Sequence, residues 1–400
     1  MNVFLMMPRI VIRKDHLFSI LLFVLWFGIH LALFFHYGVR DLLDAHRYAW
    51  KADFLLSHGY LEEASDLFYV VHIALFALFG TVFHPPVLPF IIFQCLLSGV
   101  ATAALYRASS KLFDNGMAGF FTVVIFLLWI DHLQWNLVTL TESLACSTAC
   151  FVLYALVYFD GKAKGFFVLV LLLVVSVFTR PTGLLILGGL LAFFAFYYRS
   201  LWKTAPLVMT AASVVIVILG IWVGLIVMDQ WDFTDQHARG NIVTYMDTLK
   251  DGPLYDESLR MDTTEIIPPR NIPSAVGKLL LFFRDNPWIS AKAAFLKVFY
   301  LVTAVRPYYT KWHNTFLLAW MGVIYFAFFT GWAIVRRNPV AYFVCTVIVL
   351  NGVLIAISTV DWDNRFYVPM EPGIVLLAGG GMASVWKRWM ERKNNTVSTK

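Results

Sequence analysis

The stretch RDLLDAHRYAWKADF, residues 40–54, sets acids among bases in a chain that is 60% hydrophobic and only 14% charged. At about 100° per residue, Arg40, Asp44, Arg47 and Lys51 share one stripe of a helix, and Leu42, Ala45, Ala49, Ala52 and Leu56 share the opposite face. A helix resting on a membrane with solvated charges has this periodicity, but such anchors usually carry a plain excess of bases. Here Asp41 and Asp44 interrupt them. A carboxylate held among cations suits taking a proton from a hydroxyl beside a bound phosphate. Three other places bring charge to the ends of apolar runs: Glu142 in NLVTLTESLA, Arg180 in VFTRPTGLL, and Asp361, Asp363 and Arg365 in VDWDNRFYVPMEP. Singly, each has an ordinary explanation as a first-turn acid favoured by the helix dipole, a snorkelling arginine or a loop charge. If they share one face of a membrane they read as a site, because ionisable groups at membrane depth are costly.

The elements that must position these residues follow from hydropathy. Mean hydropathy is +0.72, and the apolar residues come in long runs at 17–36, 67–83, 87–107, 117–130, 138–159, 166–179, 181–198, 205–228, 313–335, 340–359 and 366–386. A bilayer needs about 20 such residues per crossing. The runs are continuous rather than alternating, which excludes a barrel. The expected fold is an all-α polytopic membrane protein, a bundle of about 10–11 transmembrane helices with amphipathic helices in its outer loops, forming one domain over residues 1–400. The first run is long, lacks a small-residue cleavage site and follows PRIVIRKD, so it reads as an uncleaved helix.

The net charge of +6 does not point to nucleic acid. The bases sit in clusters beside the spans: Arg9, Arg13 and Lys14; Lys162 and Lys164; Arg199 and Lys203; Arg336 and Arg337; Lys387, Arg388, Arg392 and Lys393. Cytoplasmic loops are enriched in Lys and Arg, so both termini are expected inside. Residues 35–66, 131–137, the turn at Arg180, 229–312 and 360–365 are then expected outside, the first carrying the acid and 229–312 forming a small extramembrane cap. Parity leaves one run too many before Arg107, and 67–83 is read as lying along the outer surface or dipping in and returning. Cys95, Cys146, Cys150 and Cys345 fall inside apolar runs and read as packing residues. The Asn-x-Thr at Asn394 falls in the expected cytoplasmic tail.

The segments DAHRYAWKADFLLSHGY, LTESLACSTACFVLYAL, FTRPTGLLILGGLLAFF and DNRFYVPMEPGIVLLAGGG, in this order and spacing, resemble the GT-C superfamily of polyprenyl-phosphate-sugar glycosyltransferases. Closest in type are the protein O-mannosyltransferases of glycosyltransferase family 39 and the aminoarabinose transferases of lipid A. The resemblance covers residues 17–382. It implies that Asp44, followed by Tyr48, is the catalytic acid of the first outer loop. Where many relatives carry a second acid, this chain has Ala45, which leaves Asp41, one turn earlier, as the substitute. Arg365 in RFYVP resembles the late arginine near the donor phosphate, Arg180 a recurrent outer-face Arg-Pro, and Glu142 the acid of the second outer loop.

The resemblance implies a sugar donor linked through phosphate to a polyprenol, used without a soluble nucleotide. No Walker lysine, G-x-G-x-x-G, HExxH or nucleophile elbow is present. Transfer through an oxocarbenium-like state needs a base for the incoming hydroxyl and positive charge for the departing phosphate. Asp44 supplies the first; Arg365 and Arg180, with Lys51 or His46, supply the second; Glu142, Tyr48 and Asp363 face the acceptor. The expected reaction inverts the anomeric centre and requires no cofactor, although Asp361 and Asp363 have the chemistry to hold Mg²⁺ or Mn²⁺. The acceptor is left open among a lipid-linked glycan, lipopolysaccharide, a polysaccharide and a protein hydroxyl, and the expected setting is a bacterial inner membrane with a periplasmic site. A polymerase or ligase of lipid-linked glycans fits the same residues. A lipid or sugar flippase fits less well, because no repeat and no mid-span charge pair appears.

Overall fold

A computed structural model describes residues 14–40, 43–200, 228–249 and 254–398, with scattered positions between 204 and 226 and at 252. Among them the chain is helical, with three isolated bridges and no strand. The helices are α1 (Lys14–Tyr37), α2 (Leu43–His58), α3 (Val70–Val82), α4 (Val87–Leu112), α5 (Gly116–Leu128), α6 (Ile130–Leu133), α7 (Thr141–Val157), α8 (Ala163–Thr179), α9 (Leu184–Tyr197), α10 (Thr234–Ala238), α11 (Ala275–Asp285), α12 (Pro287–Thr303), α13 (Lys311–Val335), α14 (Pro339–Ile357) and α15 (Glu371–Ser398). Each apolar run of the sequence becomes a helix; of 205–228 half the positions are described, and all of those except Ala205 are helical. Among the described residues five helices are long and apolar enough to cross a membrane, or six if the bent pair at 116–137 is one span. The chain is an all-α, multi-pass membrane protein.

Local chemistry sets the boundaries. Asn115 caps α5 by accepting from the Met117 amide, Asn338 caps α14 from Val340, and Thr310 caps α13 from His313. Proline opens α12 and α14, where its missing N–H costs nothing. The loops 113–115 and 336–338 are too short to cross the bundle, so the chain reverses at each. Exposed bases Lys111, Lys162, Lys164, Arg199, Arg336, Arg337, Lys387 and Arg388 all fall at one end of the bundle.

At the other end the helices stop at different heights. With a rise of about 1.5 Å per residue, α5, α7, α8 and α9, of 13, 17, 17 and 14 residues, fall short of the roughly 30 Å hydrocarbon layer. α1, α4 and α13, of 24, 26 and 25 residues, go on past them. His30, two turns before the end of α1, already meets Asn136, and Tyr325, well inside α13, meets Tyr367. The charged loops are therefore set in below the level the long helices reach.

The run read as lying along the surface includes a 3₁₀ turn (Ala64–Tyr69) leading into α3, together long enough to span. It packs against the head of α4. Phe90, near the start of α4, touches His72, Phe76 and Phe79, which are spread over two turns of α3. Phe79 also reaches Phe93, one turn further along α4. α3 runs alongside α2, with Tyr48 on Tyr69 and His72 and Leu56 against Gly80.

Glycines fix the last helix. A methyl group at Gly331 or Gly381 would collide with the backbone of the other helix, and one at Gly379 with Thr122 of α5, so α15 packs on α13 and α5 at backbone distance. Replacing Gly381 with valine is expected to lower stability by about 3 kcal/mol or more, read as earlier thermal unfolding in detergent.

Candidate functional site

Four distant segments meet at the recessed end of the bundle. α2 brings Asp44, the first turn of α7 brings Glu142, the α8–α9 turn brings Arg180, and the loop before α15 brings Asp361 and Arg365. Arg365 Nη1 contacts Asp44 Oδ2 at 2.8 Å, its Nε lies 2.6 Å from Asp361 Oδ2 and 3.8 Å from Glu142 Oε1. The same Glu142 oxygen accepts from Arg180 Nη1 at 2.5 Å. The Phe366 ring lies against both guanidiniums, 5.4 Å from Arg180 and 5.7 Å from Arg365. The result is an alternating lattice of two arginines and three carboxylates.

Exposure sorts the members. Side-chain exposure is 38% for Asp44 and 24% for Arg365, but 3% for Glu142, 8% for Arg180 and 5% for Asp361. Asp44 and Arg365 can meet a substrate; the others hold them in place. Burial works against the charged form of Asp44, but the Arg365 guanidinium, with Arg47 and Arg180 behind it, outweighs burial and holds the carboxyl below its ordinary value. Burial likewise opposes charge on Arg365, and Asp361, Glu142 and Asp44 more than compensate.

Other residues singled out from the sequence fall elsewhere. Lys51 is 6% exposed and pairs with Glu62 at 2.8 Å, Asp66 at 3.0 Å and Glu63 at 3.5 Å, which ties α2 to the segment ahead of α3. This replaces its expected place on the donor phosphate: its charge is already spent on three carboxylates. Tyr48 is buried against Tyr69 and His72, so it supports α2 rather than lining an acceptor path. Glu142 and Arg180 bind each other, not separate substrates. His46 is exposed on α2. Asp363 is half-buried, and no ion pair among the described residues ties it to the lattice; burial, then the neighbouring Asp361, raises its pKa. Asp41 lies outside the described residues. Among those described, no group of three or more His, Cys, Asp or Glu side chains is arranged to hold a metal, and Asp361 is engaged by Arg365.

One residue gains a place. Arg47 is exposed beside Asp44, with its guanidinium 5.0 Å from the Tyr48 ring, 5.7 Å from the Tyr69 ring and 3.2 Å from the Tyr48 hydroxyl. No carboxylate forms an ion pair with it among the described residues. Its signal was present in the charged stripe, one turn after Asp44, but Lys51 shared that stripe and periodicity could not rank them.

Neither the protein-family models nor the curated proteins match this chain. The site therefore stands on its own geometry. That geometry offers an ionised carboxylate, a guanidinium in contact with it and a second guanidinium at the rim. Together they can accept a proton and receive an anion within a few ångströms of each other.

The buried pair gives a direct test. Glu142→Gln leaves Arg180 charged in a dry site and is expected to cost about 3–5 kcal/mol, whereas Glu142→Gln with Arg180→Met should recover part of that loss in thermal unfolding.

Proposed function

We propose that the chain is a membrane glycosyltransferase that moves a sugar from a polyprenyl-phosphate donor to a hydroxyl acceptor, with inversion and with Asp44 as general base. The observation that carries this reading is the Asp44–Arg365 contact, a carboxylate and a guanidinium within 2.8 Å of each other, the pair of groups such a transfer needs. The resemblance of the four charged segments to polyprenyl-phosphate-dependent transferases supports it. The base-rich end of the bundle reads as cytoplasmic, which puts the site on the outer face, in a bacterium the periplasmic face of the inner membrane.

The donor phosphate arrives as an anion and competes with Asp44 for Arg365, while Arg47 closes on it from the rim as a second fork. The exchange frees the Asp44 carboxylate beside the reacting centre. The acceptor hydroxyl gives its proton to Asp44 as its oxygen attacks the anomeric carbon from the face opposite the phosphate. The bond from that carbon to the phosphate oxygen breaks, its electron pair leaves with polyprenyl phosphate, and Arg365 and Arg47 stabilise the departing charge. Asp361 and Glu142 keep Arg365 aimed throughout, and Lys51 takes no part. The acceptor is a hydroxyl on a lipid-linked glycan, lipopolysaccharide, a polysaccharide or a protein.

The test uses purified protein in lipid nanodiscs, a panel of labelled polyprenyl-phosphate sugars and membrane extract as acceptor. Asp44→Asn is expected to reduce polyprenyl phosphate release by about 10²- to 10⁴-fold, Arg365→Ala and Arg47→Ala by less, and Lys51→Ala least. Release that survives Asp44→Asn would refute the assignment of the base, and turnover only with donors carrying an assembled glycan would make the protein a ligase. Because the Asp44 pKa is depressed, its carboxylate is ionised at neutral pH, and kcat/KM should fall only as pH drops below the ordinary value of 3.8. Loss of rate near neutral pH on acidification would contradict that role.

A further inference from the structure

The loop that presents Arg365 is held by a buried arginine that does not reach the reacting groups. Arg306 lies in the connection between α12 and α13 and is 1% exposed. Its Nη1 donates to the carbonyls of Tyr300 at 2.9 Å and Val305 at 2.8 Å, and its Nη2 donates to the Asp361 carbonyl at 2.8 Å. No carboxylate forms an ion pair with it among the described residues. Burying a guanidinium on carbonyls and one tyrosine ring is costly, and here its planar fork does what no other side chain can, reaching two separate chain segments at once. Two more bonds take the same route: Tyr308 donates its hydroxyl to the Trp362 carbonyl at 2.6 Å, and Asn364 donates to the Ala304 carbonyl at 3.1 Å.

The outer segment grips the same loop from the other side. The Val360 amide donates to the Ile242 carbonyl at 3.1 Å, the Thr244 amide to the Val360 carbonyl at 2.9 Å, and Lys297 Nζ to the Ser358 carbonyl at 2.6 Å. Residues 358–364 are thus fixed nearly one by one. Arg306 holds the link nearest the chemistry, since the Asp361 carbonyl it grips belongs to the residue whose carboxylate contacts Arg365.

We propose that Arg306 is a positioning residue: by gripping the Asp361 carbonyl, it keeps Asp361 and Arg365 in the register at which Arg365 meets Asp44 and the donor phosphate. The inference deepens the glycosyltransferase reading and rests on it. A lysine cannot substitute, because its three donors radiate from one atom and do not bridge carbonyls on two segments. With the carbonyl released, Arg365 is free to leave Asp44.

Arg306→Lys and Arg306→Gln are assayed in nanodiscs beside wild type, with Tyr308→Phe as a milder variant that removes only the tie to Trp362. The expected result is a fall in kcat of about 10- to 100-fold, a smaller change in KM for the donor, and an upward shift of the acid limb of kcat/KM as Asp44 loses its cation. Tyr308→Phe should move both readouts the same way by less. A residue that merely supported the fold would lower the yield of active protein and leave the limb of the remainder in place; that outcome, or wild-type kinetics in Arg306→Lys, overturns the proposal. If wild type releases no polyprenyl phosphate from any donor, the glycosyltransferase reading fails by itself, and amide hydrogen exchange then decides on Arg306. Faster exchange confined to 358–368 in Arg306→Lys supports the clamp, and an unchanged pattern refutes it.

Discussion

Arg365 is the side chain on which the rest of the arrangement depends. A guanidinium at the recessed end of a membrane bundle is expensive unless its charge is answered at short range. Asp44 and Asp361 answer it by direct contact, and Glu142 lies next to it while also binding Arg180. Each charge therefore has a partner of opposite sign, and removing any one exposes another to the low-dielectric interior. The coupling also sets which contact can open: the partner exposed to solvent, Asp44, is the one an incoming anion can displace.

The architecture serves this lattice by bringing four chain segments to one height. Short helices α5, α7, α8 and α9 end at the charged loops, while α1, α4 and α13 rise past them and surround them with apolar surface. α2 and α3 lie side by side, with α3 packed at the head of α4, and Asp44 is carried on a helix anchored by Lys51. Backbone-close packing of α15 on α13 and α5 fixes where the last loop must begin. The loop itself is pinned from two sides by carbonyl-directed bonds. Rigidity of this kind suits electrostatic catalysis, in which dipoles and charges must be aimed before the reacting charge develops.

Much of the helical content was readable in the chain because long continuous apolar runs have one solution in lipid. The run at 67–83 was harder: its composition matches a crossing, and only the folded chain brings Phe90 of α4 against three residues of α3. Arg365 could be singled out because charge at the ends of apolar runs is rare enough to stand out, and Asp44 because its mixed-sign stripe and the tyrosine after it resemble a known pattern. Lys51 and Arg47 show where such reasoning stops. Both lie on the charged stripe of α2, yet one is enclosed by Glu62, Glu63 and Asp66 and the other lies open on two tyrosine rings. Arg306 gave no signal at all, being one base in a loop with no neighbouring pattern.

From its amino acids alone, this protein is a bundle of membrane helices with basic residues at one end and a few acids and arginines at the other, because hydropathy and charge act locally and repeat along the chain. Tertiary structure decided which charges meet. Ion pairing depends on distances of a few ångströms between residues as far apart as Asp44 and Arg365, and no periodicity within a segment carries that information. Folding alone therefore determined that Glu142 faces Arg180, that Lys51 is already occupied, and that a buried arginine holds the loop on which the site is built.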